Sequence, residues 1–218
     1  MTAWTTDKLR QALRVYLLAD TSLLPTDQLT RVVAAAIRGG VTCVQLRAKK
    51  ETTLRMIELG RELKEVCASS GVPFIVNDRV DVALAVEADG VHVGHLGEED
   101  MSPRDARRLM GYGAIVGVSV GSAEEARTAT LQGTGYVSAG PMFETATKTN
   151  AGPAQGEPLL RAVRAATPLP LVVIGGITES RARGLYSAGA EGLCIGSAIL
   201  RAADPEAAAR AFSEIQER

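Results

Sequence analysis

The sequence predicts an α/β fold of one architecture, a single-domain (β/α)8 TIM barrel. Three observations predict it: eight short β-branched runs, helix-patterned stretches between them, and no glycine-rich dinucleotide turn after the first run. The runs are 15–19, 41–46, 73–76, 90–93, 115–118, 136–139, 171–174 and 192–195. Short, continuous apolar segments of this kind read as strands of a parallel sheet covered on both faces. Ala/Leu/Glu/Arg-rich stretches with helical spacing separate them, at 27–38, 53–69, 103–110, 123–132, 158–166, 179–187 and 205–215. Strand–helix alternation argues for a parallel sheet, and with eight strands the sheet can close on itself. An open doubly wound sheet would place G-x-G-x-x-G behind its first strand. Here that strand leads into Asp20, Thr21 and Ser22.

Gly39–Gly40, Ser70–Gly71 and Ala188–Gly189 each stand just before a strand-like run. They fit helix C-caps at the bottom of the barrel, where residues serve stability. Nothing in the chain reads as a linker, so residues 1–218 are taken as one domain, with 1–13 a short N-terminal extension.

Composition narrows the class. Only 4 % of residues are aromatic, so the core must be built from Val, Ile, Leu and Ala. A net charge of −1 offers no basic footprint for nucleic acid, and any anion site must come from a few placed cations. The first 14 residues lack the apolar stretch of a signal peptide, and no apolar run approaches 18 residues, so no membrane span is expected. Cys43, Cys67 and Cys194 are odd in number and match no metal spacing; they read as reduced, buried thiols of a cytoplasmic protein. Oligomeric state is left open.

Barrels of this kind do their chemistry at the C-terminal ends of the strands, so the polar residues just after each run are the candidates. After the second run, Arg47 and Lys49 fall on one face of an extended segment and suit a diphosphate, or else form a solvated basic loop. After the third, Asn77 and Asp78 offer a hard oxygen ligand for magnesium, or else an N-cap. After the fourth come His95 and the run Glu98, Glu99, Asp100, one of which could sit beside Asp78 on a shared ion. His92 and His95 lack a third partner for zinc, and His92, inside its strand, is expected to make a structural hydrogen bond.

Ser119 follows the fifth run and can donate to a phosphate or cap the next helix. The stretch 140–156 after the sixth is long and lid-like, and its Thr145, Thr147 and Lys148 can donate to anionic oxygens. Gly175–Gly176 and Gly196–Ser197 follow the seventh and eighth runs, the recurrent phosphate position of such barrels. Two anion sites at one mouth suggest transfer between two phosphorylated substrates with diphosphate leaving. No Ser/His/Asp set stands out.

Taken in order, several motifs are familiar: Gln45-Leu46-Arg47-x-Lys49, Asn77-Asp78-Arg79, Asp89-Gly90-Val91-His92-x-Gly94, Gly117-Val118-Ser119, Gly140-Pro141 with Thr145-x-Thr147-Lys148, Gly175-Gly176-Ile177 and Ser197-Ala198-Ile199. From about Val15 to Pro205 the chain resembles the thiamine-phosphate synthase family. The resemblance implies a magnesium-dependent (β/α)8 enzyme. Such an enzyme joins hydroxymethylpyrimidine diphosphate to a thiazole phosphate, giving thiamine phosphate and diphosphate by a dissociative route.

It further implies that Asp78 and Asp100 hold magnesium and that Arg47, Lys49, Asn77, Ser119 and Lys148 bind the diphosphate. Gln45 would contact the pyrimidine, and Thr145, Thr147, Gly176 and Ser197 the thiazole phosphate. Two positions depart from the family: His95 replaces a usual Gln and Ala146 a common Pro. The stretch after His95 is also longer than usual, so Glu98 or Glu99 could stand in for Asp100.

Three rival readings remain. A sister thiazole tautomerase shares the fold, but its proton-transfer histidine falls at Gly121 here. A non-catalytic paralogue would bind thiazole phosphate without turnover. Other phosphate-binding barrels carry Lys, Glu or Asp inside their strands; no run here holds Lys or Glu, although Asp89 borders one.

Overall fold

The computed structural model describes residues 4–95, 101–145 and 152–217. Eight parallel strands close into a barrel in chain order: β1 Val15–Asp20, β2 Cys43–Arg47, β3 Phe74–Asn77, β4 Gly90–His95, β5 Ile115–Val120, β6 Tyr136–Ala139, β7 Leu171–Ile174 and β8 Gly192–Ile195. β1 pairs with β8 through Val15↔Leu193 and Tyr16↔Cys194, which completes the ring. The expected (β/α)8 barrel is therefore present, with each expected strand in place.

Helices cover the outside: α1 Thr6–Ala12, α2 Thr26–Arg38, α3 Thr53–Ser69, α4 Val80–Ala85, α5 Pro103–Met110, α6 Ala123–Leu131, α7 Gly156–Ala166, α8 Glu179–Ser187, α9 Ser197–Leu200 and α10 Pro205–Glu217. The outer faces of the strands and the apolar helix faces form one large core, which includes Leu29, Leu59, Leu63 and Leu160, all fully buried. Each such side chain contributes about 1.5–3 kcal/mol through burial. Gly40, Gly71 and Gly189 take positive φ just past α2, α3 and α8, as the small-residue signals before the strands predict.

Inside the barrel lies a second, smaller cluster: Tyr16, Leu18, Cys43, Ile75, Ile115, Tyr136, Val172 and Cys194. Leu9 and Leu13 join it from below. Residues 6–12, expected as part of an extension, form α1, capped by Thr5 and set across the N-terminal end of the barrel. α4 is the other unexpected helix; at six residues it is too short to show helical periodicity.

The bottom rim repeats one device. The residue before an even-numbered strand accepts a hydrogen bond from the first N–H of the strand before it. Thr42 Oγ1 takes Val15 N–H at 2.9 Å, Asp89 Oδ2 takes Phe74 N–H at 2.9 Å, and Glu191 Oε2 takes Leu171 N–H at 3.0 Å. Before β6 stands Gly135, which has no side chain to offer. Asp89 also pairs with Lys64 at 2.8 Å, and Glu191 with Arg10 at 2.6 Å and Arg164 at 2.9 Å. Asp89 therefore sits at the N-terminal end of its strand, structurally engaged and away from the mouth where chemistry is expected.

The three thiols are free and buried. Burial pushes Cys67 and Cys194 up to about 12. Among the described residues no helix is long and apolar enough to cross a membrane.

Candidate active site

A cavity of about 680 Å³ opens at the C-terminal ends of the strands. Every described residue of the expected set lines it: Gln45, Arg47 and Lys49 from β2 and its loop, Asn77 and Asp78 from β3, and Ser119 from β5. Thr145 reaches it from the loop after β6, Gly176 from that after β7 and Ser197 from the start of α9. The expected Asp100, Glu98, Glu99, Ala146, Thr147 and Lys148 lie outside the described residues, as does the side chain of His95.

The basic pair after β2 is not a solvated loop. Arg47 donates to Asp20 at 2.6 Å, and both side chains are largely buried. Lys49 pairs with Asp78 and is half-exposed. Asp20 is 1 % exposed and also accepts from Ser22 N–H at 2.8 Å and Ser22 Oγ–H at 2.6 Å. It therefore holds Arg47 in one orientation. Asp20 is not among the expected residues, although as the last residue of β1 it stands at the C-terminal strand end where the others gather.

The alternatives left open for Asp78 and Ser119 are resolved by the helix caps. Arg79 occupies the N-cap position of α4, without a side-chain cap. Asp78 instead takes φ 59°, with its N–H donating to His92 C=O at 2.8 Å. A left-handed non-glycine residue costs on the order of 1 kcal/mol and is characteristic of functional sites. Asn77 Nδ2–H donates to the Asp78 carboxylate. Arg79 turns outward to Asp81 and Thr53. Likewise Ser122 caps α6, accepting Glu125 N–H at 3.1 Å, which frees Ser119 for the cavity. A register shift between Val93 and His95 lets Gly94 bulge at this rim.

Behind Ser119 lies a buried polar chain that no local pattern announced. Gln45 Nε2 donates to Tyr16 Oη at 2.6 Å, and the two tyrosine hydroxyls are 2.8 Å apart. Tyr136 Oη is 2.8 Å from His92 Nδ1, and His92 Nε2 is 3.1 Å from Ser119 Oγ. The structural hydrogen bond expected of His92 is thus present. A serine–histidine contact exists as well, but a neutral phenol stands where a triad would need a carboxylate. Gly117 makes room for this chain, since a Cβ there would lie 2.1 Å from Tyr136 Cζ.

On the other side, the stem of the long loop after β6 is fastened to β7. Met142 N–H donates to Ile174 C=O at 2.8 Å and Phe143 N–H to Gly175 C=O at 3.1 Å. Arg181 donates to Gly176 C=O at 2.6 Å and lies over the Phe143 ring at 4.2 Å. A Cβ on Gly176, which has φ 62°, would come 2.6 Å from Glu144 C=O. Glycine is therefore needed for the two loops to meet.

The residues fit a magnesium ion held in part by substrate. Asp78 presents a hard oxygen at the mouth, and magnesium beside phosphates needs only one or two carboxylates. Gly121 offers no titratable atom, and its N–H is engaged with Glu125 at 2.8 Å.

Fold and site together define a (β/α)8 barrel with cations and an acid gathered at one mouth, the class that handles phosphorylated small molecules. The profile described as thiamine monophosphate synthase matches residues 15–199. The chain belongs to that family. It is 45 % identical over 194 residues to the thiamine-phosphate synthase of Moorella thermoacetica, covering 89 % of this chain and 90 % of the relative. It is 44 % identical over 201 residues to that of Roseiflexus castenholzii, covering 92 % and 87 %. A solved thiamine phosphate pyrophosphorylase from Pyrococcus furiosus superposes with TM-score 0.85 at 36 % identity, covering 96 % of this chain and 98 % of that one.

Proposed function

We propose that this enzyme, a transferase of the thiamine-phosphate synthase family, couples hydroxymethylpyrimidine diphosphate with a thiazole phosphate and releases diphosphate. The observation that carries the reading is the meeting of Arg47, Lys49, Asn77, Asp78 and Ser119, from three separate strands, around one cavity that also holds Thr145, Gly176 and Ser197. Arg47 and Lys49, with Lys148 from the loop after β6, bind the diphosphate oxygens. Asn77 and Ser119 donate neutral hydrogen bonds to the same group. Thr145, Thr147, Gly176 and Ser197 hold the thiazole phosphate, and Gln45 faces the pyrimidine.

Asp78 and Asp100 would hold magnesium, which neutralises charge building on the departing diphosphate. The protein's cations do the same work electrostatically, in positions set before reaction begins. Charge on the leaving group is what this cavity answers, so bond breaking ahead of bond making suits it. Asp20 keeps Arg47 aimed.

Mixing the two substrates with magnesium should yield thiamine phosphate and diphosphate in equal amounts. Asp78→Ala and Lys148→Ala should each lose on the order of 3 kcal/mol of transition-state stabilisation, about a hundredfold in rate. Wild-type turnover in both variants, or aromatisation of thiazole phosphate without diphosphate release, would refute the assignment.

A further inference from the structure

The polar chain inside the barrel begins and ends on residues that face the cavity. Gln45, Tyr16, His92 and Ser119 all border it, while Tyr136 at the middle of the chain does not; the two phenols are 1 % and 0 % exposed. Burial pushes both phenols well above their usual range, so each keeps its single proton. A phenol can therefore donate in one of these bonds only.

That restriction gives the chain a direction. An amide N–H only donates, so Tyr16 Oη accepts from Gln45; were Tyr136 to donate to it as well, the buried Tyr16 proton would have no acceptor, so that proton goes to Tyr136 Oη. Tyr136 then donates to His92 Nδ1, which leaves the ring proton on Nε2, pointed at Ser119 Oγ. Ser119, already accepting, is left to donate its hydroxyl proton elsewhere, and the cavity is where it lies. Had the Gln45 carboxamide turned over, every bond would reverse. Ser119 would then spend its proton on His92 and present only lone pairs to an anion.

We infer that Tyr136 is a positioning residue that couples the two halves of the pyrimidine diphosphate. Through Tyr16 and His92 it makes the orientation of the Gln45 amide and the donor direction of the Ser119 hydroxyl a single choice. The inference rests on the reaction proposed above. An anion that needs a donor from Ser119 selects the polarity in which the Gln45 amide nitrogen faces Tyr16 and its carbonyl oxygen is free. A free carbonyl oxygen is the partner for the amino group of an aminopyrimidine. Binding at one end therefore prepares the other, and the preparation passes through a residue that touches neither ligand. Such chains act as a unit, so the effect is seen only when both ends are read together.

The test uses the full-length protein with magnesium. Calorimetry measures binding of inorganic pyrophosphate with and without saturating hydroxymethylpyrimidine alcohol. Wild type should bind pyrophosphate about five-fold or more tightly when the alcohol is present. Tyr136→Phe should bind each ligand alone, with that enhancement reduced to nearly one. Tyr16→Phe cuts the same chain at its other joint and should do likewise.

The chain has two histidines, so 15N-histidine spectra of wild type give an independent reading. His92 should carry its proton on Nε2, and Tyr136→Phe should shift that preference. Undiminished coupling in both variants, absence of coupling in a wild type that binds both ligands, or an Nδ1-protonated His92 overturns the inference and leaves the proposed reaction standing. A wild type that binds neither ligand overturns the reaction itself and the inference with it.

Discussion

The two ends of the barrel use similar ion pairs for different purposes. At the bottom, Glu191 and Asp89 accept from Arg10, Arg164 and Lys64, but each also takes the first N–H of a strand. At the mouth, Arg47–Asp20 and Lys49–Asp78 are as close-set, yet the cations and Asp78 line an open cavity. Bottom charges are committed to the backbone and define strand starts. At the mouth Asp20 is likewise tied to the Ser22 N–H, but Lys49 and Asp78 hold each other at the cavity edge, where an incoming phosphate or metal can take the partner's place. A count of ion pairs would not separate these roles; what else each carboxylate touches does.

The comparison breaks if charge removal has like effects at both ends. The largest expected effect is at the mouth. Lys49→Ala should lower kcat/KM by about a hundredfold or more. Its thermal midpoint should stay near wild type, because the ammonium is 51 % exposed. Steady-state kinetics alongside a melting curve decide the matter; an active variant with a clearly lowered thermal midpoint would contradict it.

Glu191→Ala should do the reverse. It leaves the Leu171 N–H without its acceptor and takes one partner each from Arg10 and Arg164, which keep other acceptors, so denaturant unfolding should show a loss of about 2 kcal/mol, with kcat/KM little changed.

The smallest effect concerns Cys67, a buried thiol near the bottom rim beside Asp89 and Lys64 that takes no part in their ion pair. Its thiol is ionised in the unfolded chain above about pH 9 but stays protonated in the fold until about 12. A raised folded-state value means that its contribution is whole below pH 9 and fades as pH climbs toward 12. Iodoacetamide should therefore leave the native thiol unlabelled at pH 8, and Cys67→Ala should flatten the alkaline limb of a stability profile. Rapid labelling of the folded protein would contradict this.

The barrel was legible because its signals are local and repeated. Each strand is a short apolar run, and the helices between them carry their own period. The mouth residues were legible through one topological rule, that polar groups just after strands face the site. What escaped depends on contacts distant in sequence. Tyr16 and Tyr136 are 120 residues apart, and nothing near either predicts the other. Asp20 was visible as an acid behind the first strand, but its meaning comes from Arg47, 27 positions away. α4 was too short to show a period. Asp78 and Ser119 were each balanced between capping and function. The balance was broken by Arg79 and Ser122, which occupy the cap positions instead.

The side-chain clasps along the bottom rim leave the wall unevenly stitched. Three neighbouring strand couples, β1–β2, β3–β4 and β7–β8, are sewn at their first residue by Thr42, Asp89 and Glu191. The remaining couple, β5–β6, has no such stitch, because Gly135 stands where one would be anchored. In deuterated water the opening amides of β1, β3 and β7 would keep their protons longest. The wall would fray first beside Gly135, on the far side of the ring from the β8–β1 closure.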